Sequence, residues 1–313
     1  MQTVGYIDGN NLQVTYNIND FTQIIQNIRK PVHIIYDPNQ KSLGLALNGK
    51  ISSNAKSNSK HLVAAFPALY PEWLGDRRFL ETHRVRFAYV GGAMARGITS
   101  VDMVVALAKS GMLGFLGSAG LPLDQLEKEL QRLAHTLNPL GLSWGCNLIH
   151  TPDDAMLEEK TVDLFLKYGV LRISASAYLG IVPSIVRYVA KGLTVTPQGM
   201  IKRNHFVFAK VSRPEIAKIF LSPPPEKILH QLKSSNQITA LQADIARHVP
   251  LAADIEVEGD SGGHTDNRPL NALFPVILSL SRELSQYYNY QETIRIGAGG
   301  GIGTPEAVAS AFA

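Results

Sequence analysis

The sequence predicts an α/β protein of the TIM (β/α)8 type, a barrel of parallel strands preceded by a small α+β module. Three observations carry this. From about residue 85 onward, short apolar runs alternate with helical stretches. The runs and stretches have the lengths of βαβ units, which pair their strands in parallel. Finally, a glycine-rich run, Gly297 to Gly303, follows the last apolar run and opens a helix, the arrangement barrels use after their seventh strand.

The strands expected are 87–94, 112–117, 143–149, 170–175, 204–211, 253–258 and 293–297, and the helices between them 100–110, 122–136, 153–168, 181–191, 213–221 and 270–286. A further helix begins at Thr304, with Pro305 at the first helical position, where proline's fixed φ is pre-organised. That gives seven strands and six full helices, and the expectation is a barrel cut before its eighth unit. Residues 222–252, opening on Ser222 and Pro223, are longer than an ordinary connection and read as a helical insertion. Before the barrel, Val32 to Tyr36 and Ser42 to Leu47 read as strands joined by the turn Asp37 to Gln40, and Phe21 to Ile28 has helical spacing. The polar stretch Ser52 to Lys60 reads as a linker, so the expected division is a module over 1–60 and a barrel over 61–313.

Composition narrows the function. The chain has 313 residues, 45% of them hydrophobic, enough for a large core. Charged residues are 18%, below the usual share of about 25%, so extensive disorder is not expected. A net charge of +4 and a pI near 9.0 are mildly basic, without the concentrated stripe of a nucleic-acid binder. With Cys146 alone, no internal disulfide can form and a reducing compartment fits. The first residues lack a basic region followed by an apolar one, and no apolar run reaches the roughly 18 residues that span a bilayer. A cytoplasmic protein with no membrane partner is expected.

Several segments carry candidate chemistry. In Gly297 to Gly303, glycines let backbone N–H groups face a ligand, and the helix start that follows favours a phosphate. The run does not fit the dinucleotide fingerprint: the sixth position from Gly297 is Ile302, and from Gly299 it is Thr304. His264 lies just past the strand 253–258, at the end of a strand where barrels place catalytic groups, and a histidine there can move a proton near neutral pH. Gly262 and Gly263 before it let the backbone approach a flat ring. The same segment matches Gly-x-Ser-x-Gly at Ser261, but Asn267 to Pro269 separate it from the next helix, and His264 is the last histidine of the chain, so the hydrolase order fails. A metal held by His264 and Asp266 lacks a second ligand cluster; none is expected.

Gly92 and Ala93 end the first barrel strand and leave room for a planar group, or else pack closely on a helix. Asn147 ends the third strand and can hydrogen-bond a ring edge or cap a turn. Cys146 beside it faces the other way, as a small hydrophobe. Arg187, Lys191, Lys202, Arg203, His205 and Lys210 form a basic group that either docks a phosphopantetheine or acidic carrier protein or is a solvated face. No two histidines stand four apart on a helix, which removes the zinc-protease pattern.

Read together, Tyr70 to Arg77, Gly91 to Gly97, Cys146 to Pro152, Ser174 to Tyr178, Ala209 to Pro214, Asp260 to Pro269 and Gly297 to Glu306 resemble, in order, the PfaD-type trans-acting enoyl reductases. These serve polyunsaturated-fatty-acid synthases and trans-acyltransferase polyketide synthases, within the nitronate monooxygenase (2-nitropropane dioxygenase)-like flavoproteins. The resemblance covers about residues 60 to 313 and implies a TIM barrel that binds FMN, takes electrons from NADPH and reduces 2-enoyl thioesters on an acyl carrier protein. By motif position it implies His264 as the active-site histidine, Gly299, Gly300 and Gly301 as a phosphate loop, and Gly92, Ala93 and Asn147 near the flavin ring. It implies a synthase as partner, with a homodimer left open. The alternatives are a nitronate monooxygenase of the same fold and a non-catalytic module that docks carrier proteins.

Overall fold

The computed structural model describes residues 2–259 and 265–312. The chain divides into two compact units, Met1–Leu74 and Gly75–Ala313.

In the first unit the described residues form an antiparallel sheet of β1 (Gly5–Asp8), β2 (Gln13–Thr15), β3 (Val32–Asp37), β4 (Ser42–Leu47), β5 (Lys50–Ser52) and β6 (Lys60–Phe66), in the order β2-β4-β3-β6-β1-β5. Helix α1 (Ile18–Gln26) starts at Asn17, whose side chain accepts from Asn19 N–H at 3.1 Å, relieving one of the unpaired donors of a helix start. Burial alternates along β3, and Ile7, Ile35 and Ala46 make the small core. The expected strands are present, and the turn at Asp37 is fixed by its carboxylate, which accepts from Asn39 N–H at 2.9 Å. The boundary near residue 60 needs correction. Lys60–Phe66 pairs with both β1 and β3, so the unit runs to Leu74 and the polar stretch before Lys60 is a loop within it. Long-range pairing decides this, and local composition does not carry that information.

In the second unit, α2 (Arg77–His83) precedes seven parallel strands, β7 (Val90–Gly91), β8 (Leu113–Leu116), β9 (Gly145–Ile149), β10 (Arg172–Ser176), β13 (Phe206–Val211), β14 (Asp254–Glu258) and β15 (Arg295–Gly299). They stand side by side in chain order, the arrangement of a (β/α) barrel. Every neighbouring pair is parallel. The helices α3 (Val101–Lys109), α4 (Leu123–Leu137), α5 (Ala155–Lys167), α6 (Pro183–Lys191), α7 (Pro214–Leu221) and α10 (Leu270–Tyr287) fall where the apolar periodicity puts them, and α11 (Pro305–Phe312) follows β15. In α4, Leu126, Leu130, Leu133 and Leu137 are buried, the stripe expected of a helix with one face on a sheet. The hairpin β11 (Leu193–Val195) and β12 (Ile201–Arg203) is an addition that the apolar pattern does not signal. The expected insertion holds α8 (Glu226–Ser234) and α9 (Ala240–Ala246), the latter opened by a reciprocal cap between Thr239 and Gln242.

A buried ionic network closes the N-terminal end of the strands. Arg295 at the start of β15 grips Asp254 at the start of β14 through Nε (2.6 Å) and one terminal nitrogen (2.9 Å). His83, fully buried at the end of α2, lies 3.1 Å from Asp254 by Nε2, and Arg172 Nε donates to its Nδ1 at 3.1 Å. An arginine can only donate, so Nδ1 is the acceptor and the ring is the neutral tautomer protonated on Nε2. Burial holds the His83 pKa below its ordinary value, Arg172 and Arg295 add to this, and Asp254 opposes it. Burial likewise lowers His205, against the Tyr188 carbonyl that accepts from it. The unfolded chain therefore takes up protons before the folded one as the pH falls through about 6.5. Stability is expected to be complete above that pH and to decline below it, by at most about 1.4 kcal/mol per pH unit for each histidine. Urea midpoints at pH 7.5 and 5.5 check this; equal midpoints would show that neither ring is held neutral.

The supposed basic face is dispersed by the fold. Arg187 is buried against Glu159 (2.9 Å) and Asp163 (2.6 Å). Arg203 donates to the carbonyls of Leu251 (3.0 Å) and Pro250, His205 stacks on Tyr188, and Lys210 points into the barrel. Only Lys191 and Lys202 of this group are exposed. Strand and helix alternation put neighbours in sequence on opposite faces, so nearness along the chain did not make a patch.

Candidate active site

The interior face of the barrel is unusually charged. Along β14, Asp254, Glu256 and Glu258 alternate with Ile255 and Val257, and the period of two sends the three carboxylates to one side. On β13, Phe208 and Lys210 line the same space, and on β15, Arg295, Gly297 and Gly299 do. The register stacks them in layers: Asp254 beside Arg295, then Lys210 beside Glu256 and Gly297, then Glu258 beside Gly299. Lys210 Nζ reaches Glu258 at 2.9 Å. Glu256 has its carboxyl pKa raised, chiefly by burial, with Glu258 adding to the effect and Lys210 opposing it. For Lys210 burial favours the neutral amine, but the two glutamates outweigh it and the pKa rises. Lys210 is therefore the shared cation that lets two carboxyls occupy one cavity wall.

Of the two glycines of β15, Gly299 is the one these side chains require. A Cβ on Gly299 would stand 2.7 Å from Glu256 Oε1, closer than real carbons approach. Beyond the strand, Gly300 (φ 79°) and Gly301 (φ 68°) turn in the left-handed region, which only glycine adopts freely. The amides of Gly300 to Gly303 reach no backbone carbonyl among the described residues. Thr304 caps α11, its hydroxyl accepting from Ala307 N–H at 3.2 Å.

Strands, loop and α11 enclose a cavity of about 720 Å³, lined by Gly92, Lys210, Glu256, Glu258 and Gly297 to Gly303 among others. This is within the range of sites for cofactors and drug-sized ligands. A second cavity of about 50 Å³ lies at the other end of the strands, around Arg203 and Phe206.

The expected site residues fare differently. Gly92 and Gly299, Gly300 and Gly301 meet on the cavity. A Cβ on Gly92 would touch nothing, whereas one on Gly91 would strike Leu107 at 2.3 Å. The two readings of this pair thus divide between neighbours: Gly91 serves packing and Gly92 leaves open space. Ala93 packs against the cluster of Leu113, Phe115 and Phe208 and is not among the cavity-lining residues. Asn147 is also off the cavity lining: it is buried, donating to Ser174 O (3.2 Å) and Ser176 Oγ (3.0 Å). Cys146 is buried, and burial raises its thiol pKa well above the ordinary value, as fits a packing residue. Ser261, Gly262, Gly263 and His264 lie outside the described residues. Sequence reasoning missed Lys210, Glu256 and Glu258 as lining residues. The signal was present in three acidic residues at every second position of an apolar strand.

Among the described residues no cluster of metal-binding side chains occurs, and no helix is long and apolar enough to cross a membrane. Fold and site together define a (β/α)-barrel protein with a large, mainly apolar cavity that carries buried charged groups on its strand wall and the glycine turn at its rim.

No protein-family model matches the chain. It is 44% identical over 241 residues to a polyunsaturated fatty acid synthase polypeptide of Thraustochytrium sp., covering 76% of this chain and 16% of that protein. It is 43% identical over 265 residues to the polyketide biosynthesis protein PksE of Bacillus subtilis, covering 85% of this chain and 34% of PksE. The chain thus spans about a third or less of the length of these relatives. Among solved structures, the enoyl reductase domain of MlnA from the macrolactin cluster of Bacillus amyloliquefaciens matches with a TM-score of 0.74 and 40% identity over 77% of this chain and 54% of that one. A point mutant of FabK from Thermotoga maritima shares the fold at 19% identity and a TM-score of 0.50, over 75% of this chain and 60% of that one. The chain is thus similar to the MlnA enoyl reductase domain, to a polyunsaturated fatty acid synthase subunit and to a polyketide biosynthesis protein, which bears out its PfaD-type resemblance.

Proposed function

We propose that the chain is the barrel portion of an FMN-dependent, NADPH-using enoyl reductase that reduces 2-enoyl thioesters carried on an acyl carrier protein. The observation that supports this most is the convergence of Gly92 and the Gly299–Gly303 turn on one large cavity. The residues present fit FMN in three respects. The turn offers a phosphate amides that have no backbone partner among the described residues. The open space at Gly92 admits a flat ring. Lys210 and the glutamates beside it supply both a donor and acceptors for a ring edge that carries both.

In this reading Gly300 to Gly303 hold the phosphate by their N–H groups, and Lys210, kept charged by Glu256 and Glu258, steadies negative charge in the cavity. Flavin, when bound, supplies hydride chemistry. His264 is assigned to polarise the thioester carbonyl or to move the proton.

The synthase relatives support a synthase partner, with the carrier protein delivering substrate. The test is the absorbance spectrum of the purified protein before and after anaerobic NADPH, followed by a crotonyl thioester. Flavin bands that bleach and then recover with the thioester are expected. Recovery only with oxygen, together with oxygen uptake on an alkyl nitronate, would instead mark a nitronate monooxygenase. A protein without flavin bands that still binds carrier protein would be a docking component.

A further inference from the structure

Among the described residues four carboxyl groups line the large cavity, and three of them have a cation of their own. Asp76 pairs with Arg78 at 2.7 Å, Asp254 with Arg295 at 2.6 Å and Glu258 with Lys210 at 2.9 Å. Glu256 is the fourth, and it makes no hydrogen bond or ion pair among the described residues. Besides these carboxyls, the titratable groups on the lining are Tyr89, Lys210 and Arg295. No cation of the wall is left over for Glu256.

Glu256 stands in the middle of β14, and the register sets it beside Lys210 on one flank and Gly297 on the other. Its carboxyl rests against Gly299, where a Cβ would stand 2.7 Å from Oε1. The group is therefore at the foot of the glycine turn and faces the same cavity. Lys210 is attracted by both glutamates, but its ammonium reaches Glu258 and can neutralise one carboxylate. Burial pushes the Glu256 carboxyl above its ordinary value; Lys210 opposes this and Glu258 adds to it. A ligand that fills the cavity takes the remaining water away from this carboxyl. A carboxylate that loses water without gaining a partner binds a proton instead. The neutral acid is also a hydrogen-bond donor, which the carboxylate is not.

We propose that Glu256 takes up a proton when flavin fills the cavity and, as the neutral acid, donates a hydrogen bond to the flavin ring. This rests on the flavin reading of the cavity and adds to it a protonation state and a donor. The proton comes from solvent and forms the O–H bond on a carboxylate oxygen, and no bond of the ligand breaks. Glu258 stays a carboxylate and Lys210 an ammonium, so the strand wall has no surplus negative charge to repel a phosphate on the turn. The sign of the pH dependence follows. Below the pKa of Glu256 in the free protein, affinity does not change with pH. Between that value and the higher one in the complex, affinity falls as pH rises, by up to about tenfold per pH unit. Above both, it levels off at the weaker value.

The full chain, freed of flavin, is titrated with riboflavin, which has no phosphate to titrate, and with FMN. Calorimetry in two buffers of unlike ionisation enthalpy counts the protons. At least about half a proton taken up per riboflavin at pH 7, and affinity at least about fivefold higher at pH 6 than at pH 8, are expected. Glu256→Gln fixes a neutral donor. It is expected to abolish the uptake and the pH dependence and to bind more tightly than wild type at pH 8. Glu256→Leu removes the donor and is expected to bind at least about fivefold more weakly than wild type at pH 6. Should FMN alone bind, the difference in uptake between wild type and Glu256→Gln is the readout, because the phosphate contributes equally to both. Flavin binding by wild type with no proton uptake and equal affinity at both pH values would overturn the proposal and leave the flavin reading standing. So would uptake that persists in Glu256→Gln, which would place the proton elsewhere. A wild-type protein that binds neither riboflavin nor FMN would overturn the flavin reading and this proposal with it.

Discussion

Asp254→Ala is expected to be the most destabilising single change in the barrel, lowering the unfolding free energy by about 3–5 kcal/mol. The carboxylate is 4% exposed, accepts two bonds from Arg295 and faces the His83 ring at 3.1 Å. Burial alone would raise its pKa, but the bonds from His83 and Arg295 outweigh burial and hold it below the ordinary carboxylate value. Removing it strands the guanidinium of Arg295, itself 8% exposed, beside Arg172 and a ring that has lost its acceptor. The cost is that of an unpaired buried charge, larger than the net worth of the pair. Asp254→Asn, which keeps one acceptor, is expected to recover part of the loss. Urea denaturation followed by circular dichroism reads both variants, and a loss below about 1 kcal/mol for the alanine variant would show that the network contributes little.

Under the proposed flavin-binding function, Gly301→Val is expected to lower flavin retention at least about tenfold while leaving the barrel folded. Its φ of 68° is hostile to a β-branched residue, at a cost of about 1–2 kcal/mol. The strained turn would also swing its amides away from a bound phosphate. A loss of about 1.4 kcal/mol is a tenfold weaker affinity, so flavin per chain after gel filtration is expected to fall at least about tenfold. Gly303→Ala is the control. A Cβ there meets nothing within 4 Å and no left-handed backbone is required, so most of the flavin is expected to remain. Equal retention in both variants would remove the glycine turn from the site.

The two variants probe different kinds of information. The glycine turn was legible in the sequence, because an unusual backbone needs an unusual residue and glycine announces itself locally. The same holds for the apolar stripe of α4 and for the strand–helix alternation, since periodicities of 3.6 and 2 are local properties of the chain. The network around Asp254 was not legible, because it joins residues 83, 172, 254 and 295, far apart in sequence. Arg203, Lys210 and His205 misled for the same reason: a run of nearby cations says nothing about which point inward. Asn147 fell between the two cases. Its strand was read correctly, but it stands in the middle of β9 and not at its end, and its amide is committed to Ser174 and Ser176.

The order and type of the barrel elements and the position of the glycine turn follow from short-range patterning and backbone sterics, and both are written locally in the chain. Long-range packing alone places Lys60–Phe66 in the first sheet, lines a cavity with three acidic residues of β14 and sets His150 against Glu158 and Tyr178. Strand partners and buried charge pairs depend on which distant segments are brought together when apolar faces leave water, and that choice is made by the whole chain at once.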